Sequence, residues 1–224
     1  ADYQSKADFS AEFSGNNIKF TAKQGFIECS QNVSVFSRTS GEQRTFTVKN
    51  NSRNTINGTL KIFFEPSLSR ATDELAHPAF SKIFIESYYD KDNRIAVFCR
   101  RNRATGESVW LSAGFAMPTE YRAFFNREKV LDRPHGIFSL AKAEKTMPKD
   151  EGKSVDKCCY FEIPVKADAK QQCSVTMFII GGSNKTEVTE LALKTRRLRA
   201  DRGDKFAPCL FSQSSLSGMI SNSV

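Results

Sequence analysis

The chain has 224 residues, of which 39% are hydrophobic and 26% charged, a globular balance that excludes wholesale disorder. Its most apolar stretch, residues 175–180, is far shorter than the ~18 residues a bilayer-crossing helix needs, and no leader of basic then apolar residues opens the chain. The formal charge of +8 invites anions, but the basic clusters (Arg100, Arg101, Arg103, and Lys194, Arg196, Arg197, Arg199, Arg202, Lys205) are not interleaved with aromatics, so nucleic-acid binding is not expected.

Taken in chain order, the hydrophobic pattern has the period of strands. Over residues 27–35 the apolar positions Ile27, Cys29, Val33 and Val35 alternate with Glu28, Ser30, Asn32 and Ser34. The same period recurs over 46–48, 60–64, 95–99, 109–115, 159–165 and 173–179. Between these runs lie turn signals: Gly15-Asn16-Asn17, Ser40-Gly41, Asn50-Asn51-Ser52, Asn57-Gly58, Asp90-Lys91-Asp92-Asn93 and Thr105-Gly106. Asn57-Gly58 is expected as a tight turn, because both residues tolerate positive φ. Many strands joined by short polar turns predict an all-β, antiparallel β-sandwich.

One helix is expected near the end. Gly181-Gly182-Ser183 breaks the last strand, Asn184 and Glu187 have capping-box spacing, and Val188, Leu191, Thr195 and Leu198 form a thin apolar stripe. Its basic last turns complement the helix dipole and read as a solvated face, and Gly203 is the expected stop. Residues 212–224 are serine-rich with scattered apolar positions, as in a tail or a segment that packs on something else.

The chemistry of an autonomous enzyme is not visible. The chain has no Gly-rich phosphate loop, no Gly-X-Ser-X-Gly and no His-Glu-X-X-His, and its carboxylates are plentiful but unpatterned. Two histidines, and adjacent rather than spaced Cys158 and Cys159, give no basis for a metal site or a redox dithiol. Cys29, Cys99, Cys159 and Cys173 keep phase with apolar neighbours, so they read as free, mostly buried thiols of a reducing compartment, the cytoplasm.

The segment His77-Pro78-Ala79-Phe80-Ser81-Lys82-Ile83-Phe84-Ile85-Glu86-Ser87 is denser in information. Pro78 holds Ala76 and His77 extended, so His77 is expected on a stiff loop before a strand, with Phe80 and Phe84 anchoring the loop and Lys82 free to reach an anion. This segment resembles the N-terminal β-domain of glycoside hydrolase family 94, and most of all that of β-1,2-glucan phosphorylases and cyclic β-1,2-glucan synthases. Arg100-Arg101-Asn102-Arg103, then Ser108-Val109-Trp110, then Glu120-Tyr121-Arg122-Ala123-Phe124-Phe125-Asn126-Arg127 follow in the order the resemblance requires. The likeness runs from about Tyr3 to Arg199. Ile83, Ile85 and Ser87 stand where the family usually has Leu, Val and Thr, and the lysine-rich stretch 138–157 matches weakly.

The resemblance implies a β-supersandwich over residues 1–182, a linker helix over 183–203, and over 204–224 a tail or the start of a following domain. It also implies that the chain is a noncatalytic part of a larger inverting phosphorylase of β-glucans, with phosphate attacking the anomeric carbon while an Asp protonates the leaving oxygen. That Asp would lie on a downstream helical (α/α)6 barrel, so no catalytic residue, metal or cofactor is expected in this chain. The implied partners are the barrel, β-glucan oligosaccharide, phosphate and a second copy of the chain. His77, Lys82, Arg101, Arg103 and Trp110 are the candidates for interface or active-site-rim contacts. The alternative is a free-standing carbohydrate-binding module, in which Trp110 with Tyr88, Tyr89 and Tyr121 would have to supply the stacking surface.

Overall fold

In a computed structural model the chain is described over residues 7–102, 105–116, 121–131 and 155–200. Within them it forms β1 (Asp8–Ser14), β2 (Asn17–Gln24), β3 (Ile27–Val35), β4 (Gly41–Asn50) and β5 (Ile56–Phe64), then the short helices α1 (Ala71–Ala76) and α2 (Pro78–Ile83). There follow β6 (Ile85–Asp90), β7 (Ile95–Arg101), β8 (Ser108–Phe115), β9 (Arg122–Asn126), α3 (Arg127–Val130), β10 (Lys157–Ala167), β11 (Gln172–Gly182) and α4 (Lys185–Ala200). One sheet has eight strands in the order β1-β2-β3-β4-β11-β8-β7-β6, and a second has three, β5-β10-β9. Every pairing is antiparallel, so the expected antiparallel sandwich is present.

The core lies between the sheets. From the large sheet it takes Ile85, Ala96, Phe98, Ala113, Phe115, Met177 and Ile179, and from the small one Ile62, Ala123, Phe125, Cys159, Phe161 and Ile163. Its aromatic rings meet edge to face, with Phe98 5.5 Å from Phe125 and Phe115 5.0 Å from Phe161. The outer face of the large sheet carries a second core, where Val188 and Ala192 of α4 pack on Ile95, Val97, Phe178 and Ile180. A third core covers the back of the small sheet, built from Phe124, Val130, Leu131, Cys158 and Tyr160. That third layer is why β10 is buried on both faces and breaks the simple alternation expected for it.

Asn50 fixes the crossing from the large to the small sheet. Its fully buried amide donates to the carbonyls of Asn54 (2.7 Å) and Ala167 (3.0 Å) and accepts from Ser52 N–H (2.9 Å). The chain has therefore turned before residue 56. Asn57 and Gly58 run inside β5, paired with Lys166 and Val165, not in the tight turn their types suggest. The turn over residues 91–94 does form: Asp90 accepts from both nitrogens of Asn93, and Arg94 adopts φ 49°.

The cap of α4 is the one the sequence spells. Glu187 N–H donates to Asn184 Oδ1 (2.9 Å), and the Glu187 carboxylate accepts from Ser183 N–H (2.8 Å). The basic end of the helix is not wholly solvated. Arg196 donates to the carbonyls of Asn93 (2.7 Å), Phe115 (3.1 Å) and Arg94 (3.3 Å), tying the helix to the β6–β7 turn and the end of β8.

The 77–87 segment differs from its expectation. It holds α2, with Pro78 at its first turn, where a missing N–H costs nothing. His77 keeps a non-helical backbone (φ −145°, ψ 72°), as a residue before proline should. The helical turn rotates Phe80 outward, so it is exposed and does not anchor the segment, and Ser81 is the residue that points in. Of the cysteines, Cys99, Cys158 and Cys159 are buried thiols, whereas Cys29 is exposed and Cys173 half-buried. Cys29 sits on β3, toward the β1 edge of the large sheet, and Cys173 near the start of β11, opposite Val48. Cys209, Leu198 with the end of the helix side chains, the expected stop Gly203 and the tail lie outside the described positions.

Candidate functional site

The described candidates lie at one end of the sandwich, where β6 begins and β7 ends, but on two sides of it. Arg103 is outside the described residues. Antiparallel register puts Ile85 opposite Arg100, Arg101 opposite Ser108, and Trp110 opposite both Cys99 and Gly182. Arg101 and Trp110 therefore point to the same face of the large sheet, the face that carries α4. His77 and Lys82 belong to the short helices on the side of the small sheet.

On the α4 face the Trp110 ring stacks on Tyr88, with centroids 6.4 Å apart and planes 21° from parallel. Lys185, in the first turn of α4, places its ammonium 5.4 Å from the centre of the Tyr88 ring. The Tyr88 hydroxyl donates to Glu86 two residues earlier on the same strand face. That hydrogen bond to a carboxylate, with some burial, pushes the phenol up to about 12. Beside this pair, a cleft of about 1000 Å³ opens between the β3–β4 turn, the β7–β8 hairpin and the start of α4, with Arg38, Ser40, Glu107, Ser108 and Ser183 among its walls. Flat aromatic surface flanked by a carboxylate and two cations can hold a sugar ring through its C–H face while hydrogen-bonding its hydroxyls.

Of the other aromatics considered for such a surface, Tyr89 and Tyr121 face the core. Tyr121 stacks edge-on to Phe115 and Phe161, and its hydroxyl donates to Arg94 O.

On the other side, Lys82 is not free to meet an external anion. Its ammonium is paired with Glu65, which also accepts from Arg127 Nε (2.6 Å), and Arg127 reaches Asp156 (3.2 Å). Burial pushes the Glu65 carboxyl up, but the hydrogen bonds and charges of Lys82 and Arg127 outweigh it and hold the group below its usual value. Glu74 in α1 accepts from Ser67, Ser69 and Ser81, and these hydroxyls likewise lower it. His77 is exposed at the joint of α1 and α2, its ring 6.5 Å from that of Phe80. Lys82 and its partners thus hold the short helices on the small sheet. Arg127 belongs to a stretch quoted in the resemblance, but only the fold shows that Glu65, sixty-two positions earlier, is its partner.

Among the described residues no three His, Cys, Asp or Glu side chains converge on a metal position.

The profile of the glycosyl hydrolase 94 supersandwich domain matches residues 3–198. Among solved structures the fold is similar to a bacterial glucoamylase complexed with acarbose, at 12% identity and a TM-score of 0.56, covering 86% of this chain and 26% of that one. It also overlaps a protein assigned as kojibiose phosphorylase from the human microbiome, at 9% identity and a TM-score of 0.46, over 90% of this chain and 22% of that one. The chain thus spans about a quarter of the length of these structures. No functionally curated protein matches the sequence.

Proposed function

Since the chain belongs to the glycosyl hydrolase 94 supersandwich family, we propose that it serves as the noncatalytic β-domain of a larger inverting phosphorylase of β-glucans. The observation that carries this reading is the family match over nearly the whole described chain. In this role the sandwich supports a downstream helical barrel that binds phosphate and supplies the acid, and α4 is the linker helix leading to it. The end of the sandwich bearing Arg101, Trp110 and the cleft beside α4 faces the barrel or the rim of its active site. His77, exposed at the same end, is a second contact, whereas Lys82 acts by holding the short helices in place. The unbridged state of the five described cysteines supports a cytoplasmic setting.

The test is phosphate release from glucose 1-phosphate with a β-glucan acceptor. The expected result is none from this chain alone, and turnover above background would overturn the reading.

The stacked Tyr88–Trp110 pair favours one second reading, a free-standing carbohydrate-binding module. Trp110 is the sole tryptophan, so its fluorescence reports directly on that surface. A saturable change on titration with β-glucan oligosaccharides, lost in Tyr88→Ala, would establish sugar binding by the isolated chain.

A further inference from the structure

We infer that Arg196 is a positioning residue: its guanidinium pins the second half of α4 to the sandwich, so that the chain beyond residue 200 leaves at a fixed angle and not on a flexible tether. The mounting stands on the geometry of the described residues; its consequence for a downstream barrel rests on the reading above.

Burial alone does not set the direction of α4. Its fully buried side chains among the described residues are Val188 and Ala192, both in its first half. Apolar burial is non-directional, so two small side chains hold the helix down but let it pivot. The first half has polar ties as well. The buried hydroxyl of Ser112 donates to Val188 O (2.9 Å), and the Lys185 ammonium lies 5.4 Å from the centre of the Tyr88 ring. Residue 196 follows 188 and 192 at four-residue steps and so returns to the same helix face. There the sequence places arginine where a third apolar residue would continue the stripe, while Lys194 and Arg197, off that face, are exposed.

The guanidinium of Arg196 spends all three of its nitrogens on main chain. Nη1 donates to Asn93 O (2.7 Å), Nε to Phe115 O (3.1 Å) and Nη2 to Arg94 O (3.3 Å). The acceptors belong to two elements, the β6–β7 turn and the end of β8, so a swing of the helix breaks contacts to both at once. A planar fork of five N–H groups can address three such acceptors together, which a lysine ammonium on its flexible stem cannot.

The acceptors are themselves held. Asp90 accepts from the backbone and side-chain nitrogens of Asn93 (2.9 and 2.8 Å), and Arg94 takes φ 49°, a left-handed conformation that costs a non-glycine residue energy. Arg94 O also accepts from the Tyr121 hydroxyl, and the Tyr121 ring packs 4.7 Å from Phe115 and 5.3 Å from Phe161 in the main core. A continuous path of directional contacts therefore runs from that core through the turn to α4.

The experiment is NMR of the full 224-residue chain, deuterated and weakly aligned, reading residual dipolar couplings and amide hydrogen exchange. The expected result is that the amides of residues 189–197 fit the alignment tensor set by β4, β8 and β11. In Arg196→Met, which keeps an unbranched stem and removes every donor, the couplings of residues 193–197 should shrink by about half and their exchange should speed about tenfold, with residues 185–189 and the strands unchanged. Arg196→Lys should recover part of that loss, and Arg197→Met, on the exposed face, should match the parent chain. Helix couplings in the parent chain that do not fit the tensor of the strands, an Arg196→Met chain that matches the parent, a loss shared equally by β11, or the same loss in Arg197→Met would each overturn the inference. None of these readouts involves glucan or phosphate, so a negative result would leave the enzymatic reading in place.

Discussion

Lys157 shows how a single side chain can work against the fold that holds it. It opens β10, is 1% exposed, and its ammonium has no hydrogen-bond partner among the described residues. Burial pushes its pKa down from the usual lysine value, against weaker opposing pulls from Cys158 and Glu86. Between that lowered value and about 10.5 the unfolded chain binds more protons than the folded one, so the stability of the protein rises with pH across this window. Lys157→Met keeps the volume and removes the unmet donor. It should stabilise the domain by about 1–3 kcal/mol at pH 7, with the gain shrinking near pH 10, as measured by denaturant titration at both pH values. A loss of stability, or a gain independent of pH, would mean the ammonium finds a partner in solution.

Among the elements, the contrast between two glycines in strands tests the packing of the large sheet. At Gly41, the first residue of β4, an added Cβ would sit 2.5 Å from the carbonyl oxygen of Ile179 and 3.1 Å from the Phe36 ring. The nearest atom is backbone of the neighbouring strand, which cannot swing aside. At Gly58 in β5 an added Cβ meets nothing within 4 Å. Gly41→Ala should therefore cost about 1–3 kcal/mol and lower Tm by roughly 3–10 °C, whereas Gly58→Ala should be neutral or mildly stabilising by calorimetry. Equal effects would argue that β4 and β11 part easily at this end.

For the molecule as a whole, the Glu65 hub joins pieces that are distant in sequence: the end of β5, helix α2 through Lys82, and α3 through Arg127 to Asp156 before β10. Because the Glu65 carboxyl is held below its usual 4.5, its contribution is fully present above that pH and is lost as pH falls through the lowered folded value. Glu65→Gln should lose about 1–2 kcal/mol at pH 7, and the difference from the parent chain should close in acid, as read from Tm between pH 3 and pH 7. A difference that persists unchanged at pH 3 would assign Glu65 a packing role and not an electrostatic one. The apolar face of β1–β3, exposed among the described residues, belongs to the same scale, since no single residue on it is unusual and only their assembly over three strands makes a surface.

The alternation over residues 27–35, 95–99, 109–115 and 173–179, the Asn184–Glu187 cap and the residues that carry the family resemblance were legible in the sequence, because each depends on neighbours within a few positions. The period of two names which residues share a face, and a cap needs only three residues. What covers each face was not legible. The burial of Cys158 and Tyr160 behind β10 and of Lys157 at its start, the exposure of Cys29 on β3, the withdrawal of Lys82 into a pair with Glu65, the stacking of Tyr88 on Trp110 and the tying down of Arg196 all depend on contacts between distant segments. Local pattern sets which side of a strand is apolar; only the stacking of layers decides whether a core, a helix or another molecule lies against it.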